Sequence, residues 1–211
     1  MKKKDLAKQI SETLIGYYPD AKCSLDFTKP YELLIAGRLS AQCTDKRVNI
    51  VTKDLFQKYP TLEAFANANV DDVAEIIKPC GLFKTKAKSI VEMSIQLVEN
   101  FGGELPQTIE ELTTLSGIGR KTANLILGDI YGKPAIVTDT HFIRITNRLG
   151  LTKNSEPKKV EEDLRKILPL DTSARFCHCI VHHGREVCKA RGALCEICCL
   201  NQLCKNAKKA L

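Results

Sequence analysis

Apolar residues recur at helical spacing along almost the whole chain, and this periodicity restricts the fold more than any other feature of the sequence. One face of the first segment carries Leu6, Ile10, Leu14 and Tyr17, and Pro19 ends the run. No segment alternates apolar and polar residues with the period of two that a half-buried strand requires. We therefore predict an all-α fold.

Proline and glycine separate this pattern into helices joined by short turns. Pro60 stops one helix, the pair at 102–103 (Gly-Gly) ends another, and Thr108 with Glu111 forms a capping box that opens the next. The predicted helices cover residues 6–17, 31–42, 45–59, 62–68, 70–78, 85–101, 122–131, 139–149 and 173–187, with a further one that begins at Pro157.

The composition is that of an ordinary globular protein. Of the 211 residues, 44% are hydrophobic and 27% charged, and a net charge of +7 permits nucleic-acid binding without proving it. No stretch approaches the roughly 20 apolar residues of a membrane span, and the basic start has neither the apolar region of a signal peptide nor the character of a transit peptide. We expect a cytoplasmic, nucleoid-associated protein, in which the ten cysteines are thiols or metal ligands rather than disulfides.

The segment 115–123, LSGIGRKTA, places two glycines between two predicted helices. Gly117 and Gly119 can take positive φ and can let the backbone approach another surface closely. The helix that follows offers free N–H groups and a positive dipole end to an anion, and Arg120 and Lys121 add charge there. The segment is a candidate grip for a DNA phosphate, although a plain tight turn is also compatible with Gly-x-Gly.

Lys121 and the later Asp139, in VTDTH, suit covalent catalysis at a sugar carbon: an amine attacks C1′, expels the base and forms a Schiff base. Only about one lysine in 10³ is neutral at pH 7, so we expect partial burial and the like charge of Arg120 to lower its pKa. Asp139, if close, raises that pKa but stabilises positive charge on the sugar and relays a proton. Taken singly, such a lysine is more often solvated and such an aspartate more often a helix N-cap.

Four cysteines near the C-terminus follow the pattern Cys188-x6-Cys195-x2-Cys198-x5-Cys204. Four thiolates suit tetrahedral zinc or an iron–sulfur cluster. The spacing leaves both open, because it is neither the two close pairs of structural zinc nor a ferredoxin pattern. Cys199 is excluded as a ligand since adjacent cysteines seldom bind the same metal.

The pattern Leu-x-x-Leu-x-Gly-Ile-Gly-x-x-Thr-Ala at 112–123 resembles the helix–hairpin–helix motif of DNA-repair proteins. With VTDTH and the cysteine pattern, it is similar to the endonuclease III family of bifunctional DNA glycosylase/AP lyases. LSAQCTDKRVN at 39–49 and GLFKTKA at 81–87 also resemble family segments, so the likeness covers nearly the whole chain.

This resemblance implies the helix–hairpin–helix DNA glycosylase fold, with two helical domains and an active-site cleft between them. A six-helix domain would span about residues 23–133 and carry the helix–hairpin–helix at about 108–131. An iron–sulfur domain would combine residues 1–22 with 134–211. The implied partner is double-stranded DNA with an oxidised pyrimidine or an abasic site, bound by a monomer that releases the base and then cleaves 3′ to the lesion by β-elimination.

The resemblance also implies roles for individual residues. Lys121 is the Schiff-base nucleophile and Asp139 its catalytic partner, Gln42 fills the gap left by the flipped base, and Leu82 is an intercalating wedge. The four cysteines, Cys188, Cys195, Cys198 and Cys204, hold a [4Fe–4S] cluster. Lys189 and Arg191 in the same loop are candidates for contacts to DNA phosphates, which would make the cluster largely a scaffold for basic residues.

Three other functions compete with this interpretation. An adenine-mismatch glycosylase of the same superfamily generally lacks a lysine at the position of Lys121 and carries a further domain. A non-catalytic helix–hairpin–helix module would use Lys121 only as a phosphate contact. A cluster protein for electron transfer would leave the hairpin and Asp139 without a role.

Overall fold

The computed structural model describes residues 2–207, which divide into two compact units. One unit runs from Ser24 to Tyr131, and the other joins the segment up to Cys23 to the chain from Gly132 onward. Within the described range all regular structure is helical and no strand occurs, so the prediction of an all-α fold is confirmed. None of these helices combines the length and the apolar composition that crossing a membrane would require.

The helices of residues 2–207 are numbered in chain order, and two further single 3-10 turns lie in the cysteine loop. They are α1 (Lys3–Tyr17), α2 (Pro30–Leu39), α3 (Asp45–Lys58), α4 (Leu62–Ala66), α5 (Val70–Ile77) with a 3-10 turn at Lys78–Cys80, α6 (Phe83–Phe101), α7 (Ile109–Leu112), α8 (Arg120–Asp129), α9 (Thr140–Arg148), α10 (Pro157–Arg165) and α11 (Ser173–Glu186).

Helix α6 is the central element of the Ser24–Tyr131 unit. Its buried face carries Ile90, Met93 and Leu97 and packs against α4, α5 and α2. Helix α2 in turn crosses α8 so closely that a Cβ added at Gly37 would lie 2.8 Å from the Cγ2 atom of Thr122. This contact fixes α8, whose first residue follows the glycine hairpin, against the core of the unit.

The other unit packs α1 and α9 against α11, with α10 completing its core. Ile10 of α1 is fully buried there, and the rings of Phe142 in α9 and Phe176 in α11 meet edge to face with centroids 6.0 Å apart. Phe142 lies in the first turn of α9, so this aromatic pair anchors the start of the helix in the core of the unit.

The prediction that α2 continues to Gln42 is wrong, because the helix ends at Leu39. The carbonyls of Leu39 and Ala41 each accept a hydrogen bond of 2.8 Å from Nζ of Lys86, and the N–H of Cys43 turns back to the carbonyl of Ser40. A side chain from α6 therefore ends this helix, at a place where the sequence has neither proline nor glycine.

Four helices begin earlier than the sequence pattern predicts. They are α1 at Lys3 rather than Leu6, α2 at Pro30 rather than Tyr31, α6 at Phe83 rather than Thr85 and α8 at Arg120 rather than Thr122. Other boundaries were predicted well. Gly102 ends α6 with φ +61°, and the Thr108 hydroxyl accepts a hydrogen bond from the N–H of Glu111 at the start of α7. The early start of α8 matters most, since it places Lys121 in the first turn of the helix.

Candidate nucleic-acid interface and cysteine loop

The hairpin before α8 depends on one glycine rather than two. Gly117 has φ +74°, and a Cβ there would lie 2.5 Å from Nε of Arg38 and 2.8 Å from Cβ of Ser89. Gly119 has φ −100°, caps α8 in an extended conformation and has open space around it, so only Gly117 uses the positive φ that glycine permits. Gly117 therefore serves the close packing of the hairpin, and Gly119 leaves the start of α8 unobstructed.

Two side chains of α6 accept hydrogen bonds from Ser116 of the hairpin. The N–H of Ser116 donates to Oε1 of Gln96 at 2.8 Å, and its hydroxyl donates to Oε2 of Glu92 at 2.7 Å. Leu115 and Ile118 on either side are buried, at 2% and 6% exposure. The loop is thus fixed by the unit's own core and is preorganised for a ligand.

The first turn of α8 presents two cations. Lys121 is exposed and Arg120 is half-buried. The partial burial expected for Lys121 is therefore absent. The amide groups of a first helical turn have no acceptor within the helix, and Gly119 offers no side chain to cap them. This end of the helix can receive an anion such as a DNA phosphate.

Gln42 and Leu82 share an uncommon backbone conformation. They have φ +54° and φ +50°, and among residues 2–207 they are the only non-glycine residues with positive φ. Both side chains are exposed, Leu82 to 56%. Such a conformation costs roughly 1–3 kcal/mol per residue and persists only where the surroundings impose it.

Lys86 of α6 supplies that constraint from within the core. Its side chain is fully buried, and Nζ donates to the carbonyls of Leu39, Ala41 and Cys80 at 2.8, 2.8 and 2.9 Å. These bonds use all three donors of the ammonium group. Burial lowers the pKa of this lysine, and the neighbouring thiols of Cys43 and Cys80 partly oppose that shift.

Asp139 lies in the other unit, at the start of α9. It is the N-cap of this helix, and its Oδ1 atom accepts a hydrogen bond of 2.7 Å from the N–H of Phe142. The side chain is half-buried. The structural role foreseen for an aspartate before Thr-His is therefore confirmed, and it orients the carboxylate without excluding a second function.

The other end of α9 holds the cysteine loop. Arg148 donates from Nη1 to the carbonyl of Lys189 at 2.7 Å and from Nη2 to the carbonyl of Ala190 at 2.9 Å. Arg144, one turn earlier, donates to the carbonyl of Cys188 at 2.9 Å. The helix that starts at Asp139 thus also fixes the backbone of the loop, whose Lys189 and Arg191 side chains are exposed.

The four cysteines of the predicted cluster line one cavity of about 300 Å³, which Arg148, Leu194 and Asn201 also border. Cys199 is not among the lining residues, in keeping with its exclusion as a ligand. Burial raises the pKa of the Cys198 thiol to about 11 and also raises that of Cys204. Across residues 2–207, no three His, Cys, Asp or Glu side chains converge closely enough to hold a single metal ion.

Two nitrogen atoms approach sulfur atoms of this cavity. Nη1 of Arg148 donates to Sγ of Cys188 at 3.2 Å, and Nε2 of the buried His183 lies 3.4 Å from Sγ of Cys198. The hydroxyl of Tyr18 lies 3.1 Å from Nδ1 of the same histidine. Burial lowers the pKa of His183 to about 4, so that the ring is neutral near pH 7 and carries one N–H.

Sequence reasoning missed the residues that support these features, above all Lys86, Arg148 and His183. One signal was available for Lys86. It stands at helical spacing from Ile90, Met93 and Leu97, and so it belongs to the buried stripe of α6. Arg148 and His183 act through contacts to residues far away in sequence, and no local pattern marks them.

Comparison with protein families and relatives places these features in a known context. Residues 35–170 match the model of the HhH-GPD superfamily base excision DNA repair protein. Endonuclease III of Synechocystis sp. is 47% identical over 207 residues, which are 98% of this chain and 94% of that protein. Endonuclease III of Bacillus subtilis is 40% identical over 193 residues, 91% of this chain and 88% of that protein.

Solved structures give the same result. A trapped endonuclease III–DNA covalent intermediate superposes with a TM-score of 0.91 at 38% identity, covering 99% of this chain and 98% of that one. A thermostable thymine-DNA glycosylase at 22% identity shares the fold, with a TM-score of 0.87.

Proposed function

The chain belongs to the endonuclease III family of base excision DNA repair enzymes, and we propose that it removes oxidised pyrimidines and cleaves abasic sites through a Schiff base on Lys121. We propose double-stranded DNA as its substrate, which is supported by the likeness to endonuclease III–DNA structures, and we expect it to act as a monomer. The observation that carries the proposal is the exposed Lys121 amine in the first turn of α8, directly after a hairpin that can bind phosphate.

The proposed reaction uses this placement. The α8 amides and Arg120 bind the DNA backbone, and any desolvation of the Lys121 amine comes from the bound DNA. The amine attacks C1′, the base leaves with its bonding electrons and a proton, and ring opening gives the iminium. Loss of a C2′ proton then expels the 3′ phosphate, and water releases the enzyme. Asp139 stabilises positive charge on the sugar and relays a proton.

Gln42 and Leu82 engage the duplex in this proposal. Leu82 is apolar and exposed, as a side chain that separates stacked bases must be. Gln42 carries both a donor and an acceptor, so it pairs with the base left without a partner when the lesion is flipped out.

Borohydride trapping on a duplex with one abasic site tests the covalent step, because reduction fixes a Schiff base as a stable adduct. The protein should form one adduct, which Lys121→Gln abolishes while DNA binding remains. Lys53→Gln, which removes an exposed lysine of α3, should trap normally. Asp139→Asn, which retains the N-cap, should bind DNA but lose most turnover. An intact protein that gives no adduct would be a non-catalytic DNA-binding module.

We also infer that Cys188, Cys195, Cys198 and Cys204 hold a [4Fe–4S] cluster. The cavity that they share supports this, because each thiolate of such a cluster binds a different iron and the sulfur atoms need not converge on one point. The Arg148 donor at Cys188 suits a thiolate. With a cluster bound, the four cysteines would cross-link the loop, and Arg148 and the loop backbone would present Lys189 and Arg191 to DNA phosphates.

Metal analysis tests the cluster independently of catalysis. The purified protein should be brown and contain about four irons per chain. Cys199→Ser should keep the iron, whereas Cys198→Ser should lose it together with the colour. A colourless protein with one zinc per chain would contradict this assignment.

A further inference from the structure

Both residues with a left-handed backbone are tied to the same buried ammonium group. Nζ of Lys86 binds the carbonyl of Ala41, directly before Gln42, and that of Cys80, two residues before Leu82. The backbone N–H of Lys86 also donates to the carbonyl of Leu82 at 3.0 Å. We infer that Lys86 is a positioning residue that presets Gln42 and Leu82 together for insertion into damaged DNA.

The geometry explains why one residue can control two turns. The third bond of Nζ, to the carbonyl of Leu39, fixes the end of α2, from which the Gln42 turn departs. The Leu82 turn leads directly into α6, the helix that carries Lys86 itself. The two turns lie about forty residues apart in sequence, but both are bonded to the same ammonium group of Lys86. A shift of either turn would therefore break a hydrogen bond to Lys86.

Lys86 does not contact DNA in this role, because its side chain is fully buried. Its effect is to hold the backbone in a conformation that glutamine and leucine rarely adopt, so that both side chains are already presented before DNA arrives. The inference rests on the proposed function, since it takes Gln42 and Leu82 as the residues that enter the duplex.

Binding to two duplexes separates this role from general DNA affinity. One duplex is intact, and the other carries a tetrahydrofuran abasic analogue, which the enzyme cannot cleave. Lys86→Met keeps the length of the side chain but removes its three donors. It should reduce the preference for the tetrahydrofuran duplex by about tenfold, with affinity for intact DNA within about twofold. Lys53→Met, which removes one exposed positive charge from the same unit, should change neither value.

A double-mutant cycle tests whether Lys86 acts through the two turns. With Gln42→Ala and Leu82→Ala already in place, Lys86→Met should change the preference by less than about twofold. A residue with a purely structural role would lower it equally in both backgrounds, and that result would overturn the inference. A wild-type protein without any preference would instead contradict the proposed function.

Glycine substitution covers the case in which Lys86→Met folds but is too unstable for the binding assays. Because glycine adopts positive φ without strain, Gln42→Gly with Leu82→Gly should restore part of the thermal stability that Lys86→Met loses. Gly substitutions at two exposed helical positions of α3, Lys53→Gly and Asp54→Gly, should restore none. No gain in melting temperature from the first pair would also overturn the inference.

Discussion

The hairpin at Gly117 and the turns at Gln42 and Leu82 all require positive φ, but they obtain it in different ways. At the hairpin the residue itself permits the conformation, and the absent side chain makes room for Arg38 and Ser89. At the two turns the residues resist the conformation, and Lys86 imposes it from the core. The hairpin therefore adopts positive φ without strain because its residue is glycine, whereas the two turns adopt it under strain and are stabilised by contacts to Lys86.

The difference follows from what each region is proposed to present to DNA. A phosphate is bound by backbone amides and cations, so the turn of the hairpin needs no side chain at Gly117. Entry into a base stack needs a side chain, so glycine cannot serve at positions 42 and 82. The cost of the conformation at these positions is then offset by contacts elsewhere, here by a buried lysine.

Gly117→Ala should have the largest effect on stability. The new Cβ meets two side chains at under 3 Å, and the residue must hold φ +74°, so we expect a loss of roughly 2–5 kcal/mol. Gly119→Ala, with φ −100° and open space, should cost less than about 1 kcal/mol in the same urea titration. Equal losses would mean that the two glycines of the hairpin are equivalent after all.

Ser116→Ala should have a smaller effect on the same hairpin. It removes the hydroxyl that donates to Glu92 but keeps the backbone bond to Gln96. We therefore expect the free energy of unfolding to fall by roughly 1 kcal/mol. Thr114→Ala, whose exposed hydroxyl bonds only to the nearby Glu111 carbonyl, is the matched control and should cost less than about 0.5 kcal/mol. If thermal melts rank the two variants the other way, the support from α6 is not what fixes the hairpin.

Leu82→Gly should have the smallest effect on stability, and it should stabilise the protein rather than destabilise it. Because glycine relieves the strained φ, the free energy of unfolding should stay unchanged or rise by up to about 1 kcal/mol. Ile50→Gly, at an equally exposed position inside α3, should instead lower it by about 0.5–1 kcal/mol. A loss at Leu82 as large as that at Ile50 would show that the turn carries no strain.

Prediction from the sequence succeeded where a residue type carries the physical requirement. The periodic stripes predicted an all-helical fold, Gly102 predicted the end of α6, and Thr108 predicted the start of α7. The four cysteines were separated from Cys199 by spacing, and the same four line one cavity. It could not tell which of the two hairpin glycines adopts positive φ, and it failed at Lys121, which is exposed rather than partly buried.

The sequence by itself determined the helical class and the family, and it located the hairpin and the four cysteines that share a cavity, because each is encoded by residue types at short spacing. Only the tertiary structure decided the end of α2, the left-handed turns and the support of the cysteine loop. These depend on Lys86 and Arg148, whose partners lie up to 47 residues away along the chain. A hydrogen bond over such a separation produces no periodic pattern in the sequence, so the sequence does not predict it. The two strained turns form only when folding of the core brings Lys86 to their carbonyls.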